Sequence, residues 1–214
     1  MTSKVDNELA FKAVVIGVSA GGFNALKTIL PQFKSGFPLP IMVVQHRRAD
    51  SVSYLIEYLN DICNMAVVEP FDKTDIESGT IYIAPGGYHM LVEKGIVDNR
   101  LHLALSVDPP VCYSRPSINV LFESASEVFG SALIGAVLTG ANDDGADGIR
   151  AIKLGGGVTI AQNPATAEVD YMPASAIRTN AVDHILNLDK IVDFIEKLLC
   201  KKTKQPRRVN LNLI

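Results

Sequence analysis

Ala13-Val-Val-Ile-Gly-Val-Ser-Ala-Gly-Gly22 is the stretch that decides the fold. Its apolar, β-branched first half is typical of a buried parallel strand. Its glycines then turn the chain into a helical pattern that runs from about Asn24 to Phe33. The same order of strand, loop and helix recurs along the chain. Alternating elements of this kind predict an α/β fold, a doubly wound, mainly parallel sheet flanked by helices.

Short apolar runs predict the other strands, and apolar residues at helical spacing predict the helices between them. Residues 90–106 differ, because two alternating segments flank the polar turn Val97-Asp-Asn-Arg100 and predict an antiparallel hairpin near one edge of the sheet. We expect one catalytic domain at 12–199 between an N-terminal tail, 1–11, and a basic, polar C-terminal tail, 200–214. The predicted strands lie at 41–45, 66–68, 80–84, 133–138, 158–161 and 184–188, and the predicted helices at 51–62, 118–129, 145–154, 174–179 and up to 199.

The composition excludes several classes of protein. Of the 214 residues 48% are hydrophobic and 20% charged, as in a globular domain with a real core, and the net charge of −3 argues against a nucleic-acid partner. No apolar run approaches the roughly 18 residues of a membrane span, and the polar start is unlike a secretion signal. We therefore expect a cytoplasmic protein without direct membrane insertion. Three scattered cysteines, Cys63, Cys112 and Cys200, indicate neither a disulfide framework nor a zinc site.

The loop Gly17-Val-Ser19-Ala-Gly-Gly22 matches Gly-x-Ser-x-Gly, in which a tight strand-to-helix turn holds a nucleophilic serine above the sheet. The start of the following helix offers free N–H groups to a developing oxyanion. A phosphate-binding loop and a plain tight turn are the alternatives at this point. A phosphate-binding loop is less favoured, because Ser19 stands where the dinucleotide-binding motif needs its second glycine. The sequence also contains no Gly-Lys-Ser or Gly-Lys-Thr.

His46 directly follows the second apolar strand, so it should project at the same edge of the sheet as Ser19. Its imidazole can take a serine proton at neutral pH. An aspartate in the loop after the strand at 133–138 can orient that imidazole, although an aspartate before a helix is also a common N-cap. Spacing alone does not choose among Asp143, Asp144 and Asp147.

His89 lies in a turn after another predicted strand, in Ala84-Pro-Gly-Gly-Tyr-His89. It is either a hydrogen-bond donor in the pocket or a structural histidine of the loop. Further short motifs follow these residues in a fixed order, and each is weakly specific by itself. The full set is Gly17-Val-Ser-Ala-Gly-Gly22, Gln45-His46, Ala84-Pro-Gly, His89, Arg115-Pro-Ser117, Leu138-Thr-Gly140, Asp144-Gly-Ala146, Ala161-Gln-Asn163 and Met172-Pro173.

In this order the motifs resemble the catalytic domain of the chemotaxis methylesterase CheB, over roughly 12–199. The resemblance implies a serine-type carboxylic ester hydrolase that converts glutamyl methyl esters on the cytoplasmic helices of chemoreceptors to glutamate and methanol. It also implies deamidation of receptor glutamines and contact with other proteins of the signalling array. The chemistry needs no metal and no cofactor. Ser19 matches the nucleophile, His46 the base, Asp144 the acid and His89 a pocket histidine, while Ala20 offers its N–H to the oxyanion.

The chain departs from the family pattern at several points. Ala141 stands in Thr139-Gly-Ala-Asn142 where the family often has methionine, which would open the pocket wall, and Asn119 replaces an aspartate. Arg115 either contacts substrate carboxylates or ties down a loop, and the basic pair Arg47-Arg48 would favour Glu-rich receptor helices. Because residues 1–11 alone precede the first strand, we expect no receiver domain in the chain as given, which is either a stand-alone esterase or a fragment of a longer chain.

Besides an inactive relative that only docks on receptor arrays, which the intact triad disfavours, two alternative functions are compatible with the same residues. One is a triad hydrolase that acts on a non-receptor ester or amide. The other is a nucleotide- or phosphate-binding module that uses the glycine-rich loop. A comparison of receptor methyl esters with small free esters separates the first from the methylesterase, and equilibrium nucleotide binding tests the second.

Overall fold

The computed structural model describes residues 10–48, 54–97 and 99–200. Ten strands and six α-helices lie in these residues, with short 3₁₀ turns between some of them. The strands are β1 Ala13–Val18, β2 Ile41–Gln45, β3 Ala66–Val68, β4 Thr74–Asp75, β5 Thr80–Ile83, β6 His89–Lys94, β7 Leu101–Ser106, β8 Leu133–Val137, β9 Val158–Gln162 and β10 His184–Leu186. The helices are α1 Gly22–Ile29, α2 Leu55–Ile62, α3 Ile118–Phe129, α4 Ala146–Leu154, α5 Tyr171–Arg178 and α6 Ile191–Cys200.

The main sheet has seven strands in the order β10-β9-β8-β1-β2-β5-β3, and its neighbours pair in parallel. This confirms the predicted α/β fold. β1 lies at the centre, between β8 and β2, and all of its residues are buried. Because the strands are parallel, the loops that follow β1, β2 and β8 all emerge at one edge of the sheet. That edge is where Ser19, His46 and the aspartate loop were predicted to meet.

Side chains of β1 alternate between two apolar layers. Val14 and Ile16 belong to the layer that contains Leu26 of α1 and Ile195 of α6. Ala13 and Val15 belong to the layer that contains residues of α3 and α4. Both faces of the sheet are therefore covered by helices, and this explains why the strand is an unbroken apolar run in the sequence.

The predicted hairpin is present as β6 and β7, which pair in an antiparallel register. These strands form a separate three-stranded sheet, because the short strand β4 pairs with the outer side of β7. The sequence did not predict β4, which contributes residues 74–75 alone. β6 packs against α3, so the small sheet supports the helix that carries part of the site.

Element ends differ from the prediction where proline intervenes. α1 ends at Ile29 and continues as a 3₁₀ turn at 30–32, because Pro31 lacks the N–H that an α-helix needs there. α5 begins at Tyr171 rather than near Ala174, since Pro173 is tolerated in a first turn. The predicted start of α2 at residue 51, residues 1–9 of the predicted N-terminal tail and residues 201–214 of the predicted C-terminal tail fall outside the described residues. Cys200, which was predicted to begin the C-terminal tail, is instead the last residue of α6.

Within the described ranges, no helix combines the length and apolar character needed to cross a membrane.

Candidate active site

Ser19 lies at the carboxyl edge of the sheet, directly after β1. Its N–H donates to the carbonyl of Thr139 at 3.0 Å, and its own carbonyl accepts from the N–H of Gly22 at 2.8 Å. Gly21 precedes α1 with a φ of 75°. A Cβ at Gly21 would lie 2.7 Å from the Cβ of Glu168, so the turn requires glycine for both backbone angle and space. The serine is thus held in a sharp strand-to-helix turn.

His46 directly follows β2 and reaches back toward Ser19. Its N–H donates to the carbonyl of Val18 at 3.1 Å, which fixes the end of β2 beside the end of β1. The ring Nδ1 lies 3.1 Å from Ser19 Oγ, and the ring Nε2 lies 2.7 Å from Asp144 Oδ2. Because the carboxylate can only accept, Nε2 carries the hydrogen and Nδ1 is left to accept from the serine hydroxyl. The arrangement can therefore move a proton from Ser19 to His46.

Asp144 is completely buried, and every partner of its carboxylate is a donor. Oδ2 accepts from the N–H of Ile118 at 2.7 Å in addition to His46. Oδ1 accepts from Ser117 Oγ at 2.9 Å and from the N–H of Asn119 at 3.0 Å. These contacts place the charge at the N-terminus of α3, where unpaired N–H groups and the helix dipole favour an anion. They offset the cost of burying the carboxylate.

The structure shows which of the three candidate aspartates contacts His46, a choice that spacing in the sequence could not make. Asp143 and Asp147 are exposed, and Asp147 pairs with Arg150 at 3.0 Å on the surface of α4. Asp144 is the member of this group that reaches His46. Its loop turns inward there because Gly145 adopts a φ of 102° before α4 begins.

Ala20 follows Ser19 in the chain, and Ala141 lies two residues after Thr139, whose carbonyl accepts from the Ser19 N–H. Among the described residues, neither N–H has a hydrogen-bond partner, whereas the N–H of Ser19 itself is taken by Thr139. Both alanines are exposed. Ala141 follows Thr139-Gly140 at the end of β8, next to the serine loop. A carbonyl oxygen bound above Ser19 could accept from these groups.

His89 is buried below the site with both ring nitrogens in use. Nε2 lies 3.1 Å from the carbonyl of Pro109, and Nδ1 accepts from the N–H of Ser117 at 3.2 Å. The side chain thus braces the segment that binds Asp144. Arg115 donates from one terminal nitrogen to the carbonyls of Val107 at 2.7 Å and Asp108 at 3.0 Å, so it ties down this loop.

A cavity of about 340 Å³ opens beside the imidazole, and three arginines lie in its lining. Arg47 lies in its wall with a side chain only 10% exposed, paired with Glu69 and donating to the carbonyl of Ala84 at 2.9 Å. Arg115 is also in the lining, and it donates to two backbone carbonyls. The cavity suits an anionic or strongly polar group next to the reacting centre. It is lined by His46, Arg47, Arg48, Tyr113, Ser114, Arg115 and Pro116.

Three side chains of the site were missed as functional candidates. Ser114 Oγ lies 3.3 Å from His46 Nδ1, and no sequence pattern marks it. Ser117 binds Asp144, and its position in the Arg115-Pro-Ser117 motif was the available signal. Asn119 was noted as a departure from the family pattern, yet its Oδ1 accepts from the N–H groups of Gly145 and Gly148, both at 2.8 Å.

The cysteine nearest the site is poorly suited to act as a nucleophile. Burial raises the pKa of the Cys112 thiol, and the nearby carboxylates of Asp144, Asp143 and Asp147 raise it further. A raised thiol pKa lowers the fraction of reactive thiolate at neutral pH.

The chain is similar to known proteins over nearly all of its described length. The CheB methylesterase family model matches residues 14–195. A curated relative from Leptospira interrogans is 47% identical over 188 residues, which are 88% of this chain and 95% of the relative. A Clostridium acetobutylicum protein named protein-glutamate methylesterase/protein-glutamine glutaminase is 36% identical over 92% of this chain, which spans 56% of that protein. The crystal structure of the Thermotoga maritima CheB methylesterase catalytic domain superposes with a TM-score of 0.82 and 32% identity, covering 89% of this chain and 98% of that one.

Proposed function

Because the chain belongs to the CheB methylesterase family, we propose that it hydrolyses glutamyl methyl esters on the cytoplasmic helices of chemoreceptors, restoring glutamate and releasing methanol. In this proposal the protein works in the cytoplasm as a serine-type carboxylic ester hydrolase. The observation that carries it is the continuous path from Ser19 Oγ to His46 Nδ1, at 3.1 Å, and from His46 Nε2 to Asp144 Oδ2, at 2.7 Å.

Acylation begins when Ser19 Oγ attacks the γ-carbonyl carbon of the methylated glutamate. The serine proton moves to His46 Nδ1 as the new C–O bond forms, and the carbonyl π electrons move onto the oxygen. Asp144 stabilises the resulting imidazolium through the Nε2 hydrogen bond and keeps the ring in the tautomer that can accept from Ser19. The ester C–O bond then breaks, and methanol leaves with the proton from Nδ1.

The oxyanion is held, in this proposal, by the unpaired N–H groups of Ala20 and Ala141. The absence of a hydrogen-bond partner for either N–H among the described residues supports this role, and loss of one such donor typically costs about 3–4 kcal/mol in the barrier. Deacylation reverses the sequence. A water molecule gives its proton to His46 Nδ1 and attacks the acyl carbon, and Ser19 recovers its proton as the free glutamate departs.

Arg115 in the cavity beside His46 supports a substrate that carries further acidic side chains. A glutamyl ester on a Glu-rich helix would place neighbouring carboxylates close to Arg115, beside His46. Complementary charge accelerates encounter and fixes the register of a bound partner. Affinity for such a receptor should therefore fall as ionic strength rises.

Deamidation of receptor glutamines is a second activity that the same residues support. A glutamine differs from the methyl ester in its leaving group. The imidazolium can protonate the departing amide nitrogen, which leaves as ammonia, as it protonates the departing methoxide. The relative from Clostridium acetobutylicum carries both activities in its name. The alternative functions are hydrolysis of a small free ester and binding of a nucleotide by the glycine-rich loop.

The test is methanol release from methylated chemoreceptor membranes, with the wild type compared with Ser19→Ala. We expect release by the wild type and a loss on the order of 10⁶-fold in kcat for the variant. Near-normal release by Ser19→Ala would exclude this mechanism. Absence of release by the wild type, with hydrolysis of a small free ester that depends on Ser19, would instead assign a non-receptor substrate.

A further inference from the structure

A second serine reaches the same nitrogen of His46 as the nucleophile does. Ser114 Oγ lies 3.3 Å from Nδ1, and Ser19 Oγ lies 3.1 Å from it. The unprotonated nitrogen has a single lone pair, so the two hydroxyls share one acceptor. When Ser19 is esterified it has no proton left to donate, and Ser114 is then the remaining hydroxyl next to Nδ1 in the described part of the chain.

Ser114 is presented by a short turn that closely constrains its backbone. Val111 and Ser114 form an antiparallel bridge, with N–H to carbonyl distances of 3.1 and 2.9 Å in the two directions. The two residues between them, Cys112 and Tyr113, have φ values of 49° and 62°. Positive φ at both central positions is the geometry of a type I′ turn, which normally selects glycine or asparagine. Bulky residues held in this conformation by the surrounding structure are a feature that clusters at functional sites.

The same turn gives Ser114 a second partner. Its hydroxyl lies 3.5 Å from the carbonyl of Cys112, so the serine proton can point either at that carbonyl or at His46 Nδ1. With the proton directed at Cys112, the oxygen lone pairs of Ser114 face Nδ1. The hydroxyl can thus donate to a neutral imidazole and accept from a protonated one.

We propose that Ser114 is a positioning residue for His46 in both half-reactions. In the acyl-enzyme it donates to Nδ1 and holds the ring in place until water arrives. When the imidazole carries the proton, Ser114 rotates its hydroxyl toward Cys112 and accepts a hydrogen bond from Nδ1–H. Hydrogen bonds to a charged group are the stronger kind, so the effect is largest on the protonated state. This role in turnover rests on the proposed esterase function, but the hydrogen bond itself does not.

The hydrogen bond is tested first, by ¹⁵N NMR of histidine-labelled full-length protein at a pH where His46 is neutral. In Ser19→Ala the Nδ1 resonance should still show a hydrogen-bonded nitrogen, because Ser114 remains as a donor. In Ser19→Ala/Ser114→Ala it should move to the position of a nitrogen without a hydroxyl donor. Identical Nδ1 resonances in these two proteins would overturn the proposal. This readout needs no substrate, so it is independent of whether the proposed function is correct.

The positioning role is tested by methanol release from methylated receptor. Ser114→Ala should lower kcat by roughly tenfold and leave KM unchanged, as for loss of one hydrogen bond to a charged group. Ser114→Thr keeps the hydroxyl and should restore most of kcat. Ser131→Ala is the matched control, because Ser131 is exposed just before β8 at the opposite edge of the sheet. An unchanged kcat in Ser114→Ala, or failure of Ser114→Thr to recover it in a folded protein, would overturn the role.

Discussion

Asp144 and Asn119 cap each other's helices. The carboxylate of Asp144, just before α4, accepts from the N–H of Asn119 in the first turn of α3 at 3.0 Å. The side-chain oxygen of Asn119 in turn accepts from the N–H of Gly145, the residue that follows Asp144, at 2.8 Å. Both side chains are buried, with exposures of 0% and 4%. Asp144, the proposed acid of the triad, therefore also links the starts of α3 and α4.

Removal of the Asn119 amide should destabilise this link between α3 and α4. Asn119→Ala leaves the N–H groups of Gly145 and Gly148 without their acceptor, and each unsatisfied buried donor costs about 1–3 kcal/mol. We expect the free energy of unfolding in urea to fall by about 2–6 kcal/mol, and kcat to fall with it. Asn119→Asp is the matched control, because it keeps an acceptor oxygen at the start of α4, where a negative charge is favoured. Equal stability of Asn119→Ala and wild type would contradict the role of the reciprocal cap.

Substitution of Asp144 by asparagine should remove activity by a specific route. If the new amide nitrogen faces His46, it donates to Nε2, and the imidazole must carry its hydrogen on Nδ1. The ring then cannot take the proton of Ser19. We expect kcat to drop by about 10⁴-fold with little change in KM, the size of effect known for the wrong tautomer in serine hydrolases. The ¹⁵N resonances of His46 report the tautomer directly, and a variant that keeps Nδ1 unprotonated would show that another cause is at work.

The close approach of β1 and α3 is expected to depend on Gly17. A Cβ at this position would lie 2.4 Å from Cγ2 of Ile118, the first residue of α3. Gly17→Ala should therefore push the helix start away and lower the free energy of unfolding by about 1–3 kcal/mol. The N–H of Ile118 also binds Asp144, so kcat should fall as well.

A double-mutant cycle in urea checks this steric cause. Ile118→Ala removes the clashing atom, so Gly17→Ala should cost less in that background than in the wild type. Equal costs in the two backgrounds would mean that the loss arises elsewhere.

Thiol labelling should distinguish the three cysteines. Burial raises the pKa of Cys63 to about 11, and burial together with nearby carboxylates raises the pKa of Cys112. A raised pKa lowers the thiolate fraction at a given pH, and thiolate is the reactive form. At pH 8 iodoacetamide should modify exposed Cys200 first, and the reaction at Cys63 should accelerate about tenfold per pH unit toward pH 11. Mass spectrometry after a short pulse measures this, with denatured protein as the control. Cys112 reacting as fast as Cys200 would contradict the expected order.

The order of strands and helices could be read from the sequence because each element carries its own local signal. β1 is an unbroken apolar run, since a central parallel strand is buried on both faces. Gly21 marks the turn that leads into α1. Local sequence signals did not predict a strand that forms only by pairing with another strand. β4 consists of Thr74 and Asp75, and it exists as a strand because β7 is there to pair with it.

The positions of Ser19 and His46 follow from chain order, because each directly succeeds a parallel strand of one sheet. The aspartate did not follow in this way. Asp143, Asp144 and Asp147 are equivalent by spacing, and the resemblance to a family chose among them. In the structure Gly145 turns Asp144 inward against α3.

What the sequence by itself determined is therefore the α/β fold and the edge of the sheet at which the chemistry is expected, since hydrophobic period and strand direction are local properties. Tertiary structure alone decided which ring nitrogen of His46 faces the serine, and which side chains hold the carboxylate. It also brought Ser114 to His46, across 68 residues of chain. These contacts join residues far apart in the chain, and their geometry depends on how α3, α4 and the Val111–Ser114 turn pack together.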